Sequence, residues 1–341
     1  MSRSFRVAVV GVTGLVGDTM VRVLEERNFP VTQLHALASN RSLGKSVEFG
    51  GKRIAVEELS AFDFSQADIG LFSAGSEVSA EYAPKAAAAG CIVIDNTAQF
   101  RYEDDVPLVV PEVNAHAIAG YRKRGIIANP NCSTIQMVVA LNPIHRAATI
   151  ERINVATYQS VSGAGKEAVE ELATQSASLL NGQPIAEPRA LAKQIAFNCV
   201  PQIDQFQPNG YTREEMKMLW ETQKIFEDRS IRVNATAVRV AVFYGHSEVV
   251  NIETRRKVSA EEARSLLEKA PGVAVIDERK PGGYPTAVTE AANHDTVYVG
   301  RIREDMSYER GLDLWIVSDN VRKGAATNSV QIAEVLARDY L

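Results

Sequence analysis

The stretch "FRVAVVGVTGLVGDTMVRVLEERNF", residues 5–29, decides how the first part of the chain folds. Val7, Val9 and Val10 are β-branched and almost unrelieved by polar residues, the pattern of a strand covered on both faces. Gly11, Gly14 and Gly17 follow at three-residue intervals, and Met20, Val21, Val23 and Leu24 then fall on one face of a helix. Glycines in such a turn let the backbone approach a phosphate closely, and the helix start adds N–H groups and a positive dipole end. The spacing G-x-x-G-x-x-G is a variant of the usual dinucleotide fingerprint. Its strand–turn–helix setting predicts a dinucleotide site at Gly11 and Gly14.

Working outward, the next strand, "QLHALAS", runs into "NRSLGK". A site built for NAD usually carries an acid near this point to hold the ribose 2′-hydroxyl. Here stand Ser39, Asn40, Arg41 and Ser42, donors that suit a 2′-phosphate, so NADP(H) is the expected cofactor. Strand-like and helix-like segments then alternate: "DIGLFSA" (68–74), a helix over 79–89, "CIVIDN" (91–96) and "GIIANPN" (125–131). That rhythm predicts βαβ units and a doubly wound, mostly parallel sheet, with ligands beyond the carboxyl ends of its strands.

The chain has 341 residues, which suggests two domains, and its 45% hydrophobic and 23% charged content is that of a globular protein. The formal charge of −5 comes without a long basic block, which argues against a nucleic-acid partner. No apolar run approaches the ~20 residues of a membrane span. The N-terminus enters a strand directly, with nothing that resembles a signal peptide. Three cysteines, Cys91, Cys132 and Cys199, are too few and too odd in number for a disulfide framework. These features predict a soluble, cytoplasmic protein acting on a small molecule, with no metal centre.

In "ANPNCSTIQMVVAL", residues 128–141, Pro130 halts the strand and Asn131 is a favoured N-cap residue. A helix can therefore begin at Cys132 or Ser133, and Pro143 is expected to end or kink it. Unpaired N–H groups and the dipole of a first turn stabilise a thiolate, so Cys132 is the candidate nucleophile. Cys91 and Cys199 read as ordinary packing residues. Among five histidines, His246 stands out because it closes the strand-like run "TAVRVAVFYGHSE" just after Gly245. Arg239 precedes it on the same run by seven positions, and an odd separation puts the two on opposite faces unless Gly245 bends the strand. "VATYQSVSGAGKEAVEEL" reads as strand, glycine-rich turn and helix, with Gln159 near the strand end and Ser162 and Gly163 in the turn. Thr212 and Glu215 have capping-box spacing, and on the helix they open Glu214 and Lys217 form an i, i+3 pair. Spacing alone makes that pair a solvated one. Arg101, just beyond 91–96, is placed to clamp a phosphate or carboxylate.

Taken together, "ANPNCSTIQM", "DNTAQFR", "VPLVVPEVN", "YQSVSGAGK", "EEMKMLWETQKI" and "RVAVFYGHSE" resemble the aspartate-β-semialdehyde dehydrogenase family, and the resemblance covers nearly the whole chain. It implies Cys132 as the nucleophile that forms an acyl-thioester, His246 as the acid/base group and Gln159 as an orienting residue. It assigns Arg239 and Glu214 to the substrate's α-carboxylate and α-ammonium, and Arg101 and Lys217 to phosphate. For NADP(H) it implicates Thr13, Gly14, Leu15, Val16, Arg41, Ser42, Ser162, Gly163 and Asn320. It also implies an N-terminal Rossmann-like domain over about 1–130, joined by a C-terminal helix over 326–341, and an α+β catalytic and dimerisation domain over about 131–325. The implied assembly is a homodimer or a dimer of dimers. The implied reaction makes L-aspartate-β-semialdehyde from L-β-aspartyl phosphate, reversibly and with inorganic phosphate as co-substrate, in lysine, threonine and methionine biosynthesis. The position before Val242 is often proline in the family and is Ala241 here. Two alternatives are an N-acetyl-γ-glutamyl-phosphate reductase, whose acetylated amine brings no charge to Glu214, and a non-catalytic paralogue.

Overall fold

The structure, a computed structural model, describes residues 4–341, so the first three residues of the expected nucleotide domain lie outside the described residues. The chain separates into two compact units, one running to Asn131 and resuming at Gly324–Leu341, the other spanning Cys132–Lys323.

The first unit holds β1 (Phe5–Val10), α1 (Leu15–Glu26), β2 (Val31–Ala38), β3 (Ser46–Phe49), β4 (Lys52–Glu58), β5 (Ile69–Phe72), α2 (Ser76–Ala88), β6 (Ile92–Asp95), α3 (Pro111–Asn114) and β7 (Ile126–Ala128). Its seven strands are ordered β3-β4-β2-β1-β5-β6-β7. All pair in parallel except the β3–β4 edge. Successive crossovers leave β1 in opposite directions, so the reversal of strand order falls at the glycine turn that follows it. β1 is buried throughout except Arg6, which pairs with Asp68 at 2.7 Å, as a strand covered on both faces requires. α1 buries the expected Met20, Val21, Val23 and Leu24, each worth about 1.5–3 kcal/mol in apolar burial.

Gly11 and Gly17 admit no side chain. Gly11 has φ +83°, and a Cβ there would lie 2.6 Å from the Ser73 carbonyl oxygen. A Cβ on Gly17 would lie 2.3 Å from the Gly11 carbonyl oxygen. The C-terminal helix, Thr327–Asp339, returns to this unit. Its Val330, Ile332, Ala333 and Leu336 join the core around β1 and α1, and Glu334 pairs with Arg27 at 2.7 Å.

The second unit holds α4 (Cys132–Ala148), β8 (Ile150–Gln159), α5 (Lys166–Leu180), β9 (Cys199–Val200), α6 (Arg213–Ile225), β10 (Arg232–Val240), β11 (His246–Thr254), α7 (Ala260–Glu268), β12 (Val273–Val275), β13 (Val297–Glu304) and β14 (Gly311–Ser318). A mixed seven-stranded sheet runs β12-β13-β14-β11-β8-β10-β9. Ile153 and Val155 on β8, Val250 and Ile252 on β11 and Leu312, Leu314 and Ile316 on β14 are buried on one face. Tyr158 and Val249 are exposed on the other.

Two local expectations change. α4 runs through Pro143 to Ala148 rather than ending there. Buried Ile135, Met137, Val138, Leu141 and Ile144 hold it, and that packing outweighs the loss of one backbone donor. The run "TAVRVAVFYGHSE" is not one strand but the end of β10 and the start of β11. Gly245, at φ +86°, lies between them, where a Cβ would meet the Ala287 carbonyl oxygen at 2.8 Å.

Candidate active site

Splitting that run resolves the parity problem between Arg239 and His246. β8 lies between β10 and β11. Arg239 pairs with Gln159, while Ser247 pairs with Tyr158, so His246 falls beside Gln159 from the other side. Arg239, Gln159 and His246 thus form a row across three strands, and all three are buried.

α6 adds a carboxylate to this row. Thr212 and Glu215 complete the expected capping box, which fixes the helix start. Glu214 in the first turn is 4% exposed, and its Oε1 accepts from Gln159 Nε2 at 3.1 Å. Lys217 Nζ lies 3.0 Å from the other Glu214 oxygen and 2.8 Å from Asp204 Oδ2. The Glu214–Lys217 pair is therefore not the solvated one that its spacing suggests. Asp204, at a positive φ of 68° in a loop, has no sequence signal and was not anticipated.

Cys132 begins α4 with intermediate exposure and an unoxidised thiol. Burial pulls the Arg239 guanidinium below its ordinary value, while the charges of Glu214 and Cys132 favour the cation. Electrostatic coupling between Arg239 and Cys132 places the sulfur within the field of the row. Arg239 Nη1 donates to the Ser160 carbonyl at 2.8 Å. Above it, a Cβ on Gly163 would lie 2.8 Å from Arg239 Nη1 and 3.2 Å from His246 Cε1 and Nε2, so the turn after β8 lies directly against both side chains.

His246 is fully buried, and burial first, then the Arg239 charge, push it down to about 3, against the pull of Glu214 and the Gly245 carbonyl. Its Nδ1 accepts from the Ser160 backbone N–H at 3.1 Å and lies 3.1 Å from Ser160 Oγ. Nε2 has no hydrogen-bond partner. Asn320 braces this corner: its Oδ1 accepts from Ser160 Oγ at 3.0 Å and Gly245 N at 3.0 Å, and its Nδ2 reaches Ser162 Oγ at 3.0 Å. Ser160 sits inside the quoted "YQSVSGAGK" yet was not singled out, because nothing in its spacing separates it from the turn serine after it.

In the first unit Gly11, Thr13, Gly14, Ser39, Asn40 and Arg41 line a cavity of about 570 Å³. Thr13 Oγ1 lies 3.1 Å from Ser42 Oγ, and Leu15 and Val16 open α1 beside them. Arg41 is exposed and forms no ion pair among the described residues. Glu58, at the end of β4, lines the same cavity, but its carboxylate accepts from Ser60 Oγ at 2.8 Å. A glycine turn closed to side chains, a cavity of ligand size and an uncommitted arginine fit a dinucleotide with a 2′-phosphate. The two residues expected to hold phosphate fall in different units, Arg101 in the first and Lys217 in the second. Arg101 is buried there, with Nη2 donating to the Asn96 carbonyl at 2.7 Å.

A cysteine at a helix start, electrostatically coupled to a buried arginine, and a nucleotide-type parallel sheet occur in this one chain. Both halves of the chain match semialdehyde dehydrogenases as a class. Residues 6–121 match the family model "Semialdehyde dehydrogenase, NAD binding domain", and residues 141–323 match "Semialdehyde dehydrogenase, dimerisation domain". The aspartate-semialdehyde dehydrogenase of Legionella pneumophila is 62% identical over 100% of this chain and 98% of its own length. The crystal structure of aspartate semialdehyde dehydrogenase II of Vibrio cholerae, complexed with ASA, is 60% identical over 100% of both chains, with a TM-score of 0.98. The aspartate semialdehyde dehydrogenase of Candida albicans, solved with NADP, is 25% identical, with a TM-score of 0.76 over 98% of each chain. The chain belongs to the aspartate-semialdehyde dehydrogenase family.

Proposed function

We propose that this chain reduces L-β-aspartyl phosphate to L-aspartate-β-semialdehyde with NADPH, reversibly and with release of inorganic phosphate. The step supplies the lysine, threonine and methionine branches of amino-acid biosynthesis. The observation that carries the reading is the buried row of Arg239, Gln159 and His246 with Glu214 beside it, coupled to Cys132.

An amino-acid substrate brings one charge of each sign near its α-carbon. Arg239 matches the carboxylate and Glu214 the ammonium, which leaves the β-acyl carbon to Cys132. The thiolate attacks that carbon, the C=O pair moves onto oxygen, and collapse expels phosphate with the bonding pair, leaving a thioester on Cys132. Gly11, Thr13, Gly14, Leu15 and Val16 at the glycine turn, with Ser39, Arg41 and Ser42 for the 2′-phosphate, would hold NADP(H), which when bound would supply the hydride chemistry. Ser162, Gly163 and Asn320 are further residues proposed for cofactor binding. When the resulting tetrahedral adduct on the sulfur collapses, Cys132 leaves as thiolate and the aldehyde is released. His246 manages the charge on the carbonyl oxygen in both tetrahedral stages. Arg101 and Lys217 take the phosphate. An N-acetylated glutamyl substrate brings no charge to Glu214, which favours the aspartyl reading over that alternative.

The assembly is a homodimer. Tyr158 and Val249, exposed on the sheet face of the second unit, lie beside Trp315, whose ring centroid is 6.0 Å from that of Tyr158. Such an apolar strip on an uncovered sheet face suits isologous pairing. No helix among the described residues is long and apolar enough to cross a membrane. The reading assigns this step to the cytoplasm, where such biosynthetic steps run.

The test is NADPH formation from L-aspartate-β-semialdehyde with and without phosphate, beside the acetylated homologue. Phosphate-dependent turnover of the aspartyl substrate is the expected result. Turnover of the acetylated aldehyde alone, or none from folded protein, would overturn it.

A further inference from the structure

α4, the helix that Cys132 opens, packs against β8, β11, β13 and β14 and between α6 and α7. Apolar side chains dominate that contact, among them the buried Ile135, Val138, Val139, Leu141 and Ile144. Apolar burial is non-directional, and a core held by it alone loses a unique arrangement before it loses stability.

One polar pair interrupts this surface. On β11, Glu248 lies two residues beyond His246, so the two side chains share the buried face. His246 stands in the row with Gln159 and Arg239. Glu248 stands in the next row inward, between Ile316 of β14 and Thr157 of β8, and it is fully buried. Gln136 of α4 is buried as well, and its amide neighbours the Glu248 carboxyl. Burial keeps that carboxyl in its neutral form. A neutral carboxyl offers one O–H donor beside its acceptors, and a carboxamide offers N–H donors beside one acceptor, so the two groups are complementary. Gln136 follows Cys132 by four positions, about one helical turn on the same face.

We propose that Glu248 and Gln136 are positioning residues, whose pairing fixes the register of α4 on β11 and thereby sets the Cys132 sulfur, one turn away, against the row of Arg239, Gln159 and His246. This rests on the reading of Cys132 as the nucleophile. Neither side chain touches a reacting atom. A slip of the helix at Gln136 is carried along its axis to Cys132, whereas Arg239, Gln159 and His246 lie on the sheet and Glu214 on α6, and these do not follow. The groups that hold the substrate stay in place while the sulfur moves, so the loss falls on kcat and not on KM. A buried polar pair costs stability relative to apolar side chains of similar size, and a single polar position in a helical interface is known to fix register at that cost.

The experiment compares wild type with Glu248→Gln and with the double variant Gln136→Leu, Glu248→Leu. Replacing both partners by apolar groups of similar shape leaves no buried polar group unpaired, so the double variant should melt at or above the wild-type temperature. Its kcat for L-aspartate-β-semialdehyde should nonetheless fall about 10–100-fold, with KM within about twofold of wild type. Alkylation of Cys132 by iodoacetamide, a small reagent that needs no alignment with the row, should keep its wild-type rate within about threefold when followed on the Cys132 peptide. Glu248→Gln keeps both donor and acceptor and should rescue kcat to within about threefold of wild type.

A folded double variant with wild-type kcat would overturn the proposal, because apolar packing would then set the register unaided. A double variant that does not fold would overturn it too, by showing that the pair supports the fold itself. So would a loss in Glu248→Gln as large as in the double variant, which would make the carboxylate charge the working feature. Full turnover by wild-type protein already alkylated at Cys132 is a separate outcome: it would remove the nucleophile reading, and this proposal with it.

Discussion

Substituting Gly163 by alanine tests whether the turn after β8 sets the geometry of the reacting groups. The new Cβ would lie 2.8 Å from Arg239 Nη1, and ordinary contact begins at 3.4 Å, so roughly 0.6 Å (3.4 − 2.8) must be found. The His246 ring, at 3.2 Å, must yield roughly 0.2 Å (3.4 − 3.2) as well. Neither neighbour is free to move. Arg239 Nη1 is held by the Ser160 carbonyl at 2.8 Å, and His246 Nδ1 by the Ser160 N–H at 3.1 Å. Overpacking of this kind costs about 1–3 kcal/mol. A displacement approaching 1 Å in a reacting group can cost about 10²-fold in rate, so kcat/KM for aspartate-β-semialdehyde should fall about 10–100-fold. The assay is steady-state kinetics beside a circular-dichroism melt, to separate misplacement from unfolding. A variant within about twofold of wild type would refute the reasoning, because the turn would then not bear on the row.

Arg41→Ala should raise KM for NADP by about 10–100-fold, the loss of a charged hydrogen bond, while leaving KM for NAD within a few-fold; equal effects on both would remove Arg41 from the 2′-phosphate. Glu214→Gln should lower kcat/KM by a similar factor through weaker substrate binding, measured by KM at fixed NADP, and an unchanged KM would count against its contact with the α-ammonium. Glu248 is fully buried on β11, and burial raises its carboxyl well above the ordinary value, opposed by the neighbouring Gln136 amide. The folded state therefore keeps a proton that the unfolded chain sheds above about pH 4.3, so this group's contribution to stability is full below that pH and is lost as pH rises through the folded value. Chemical denaturation across that window should show Glu248→Gln flattening a decline of up to about 1.4 kcal/mol per pH unit; an unchanged slope would mean that Glu248 is ionised in the fold.

Much of the architecture was legible because apolar periodicity and glycine placement are local. Val7 to Leu24 alone specify strand, closed turn and helix, and the alternation after them specifies a parallel sheet. The position of Cys132 at a helix start was legible for the same reason, since Asn131 and Pro130 mark where that helix begins. What the sequence could not reveal depends on register. Arg239 and His246 look mismatched on one strand, and only the insertion of β8 between two strands brings them level. Pro143 looked like a helix end, because tertiary packing around α4 is not a local property. The pair Glu214–Lys217 looked solvated because its burial comes from Gln159 and Asp204, residues 55 and 13 positions away. The contact between His246 and Ser160 was not legible on the same account, since Ser160 lies 86 positions earlier.

The central claim is that Cys132 carries the acyl group. Incubating the protein with L-aspartate-β-semialdehyde and NADP in the absence of phosphate, then digesting it and weighing the peptides, tests this directly. The account predicts an aspartyl adduct on the peptide containing Cys132, discharged when phosphate is added and absent in Cys132→Ala. An adduct on Cys91 or Cys199, or full NADPH formation by Cys132→Ala, would contradict it.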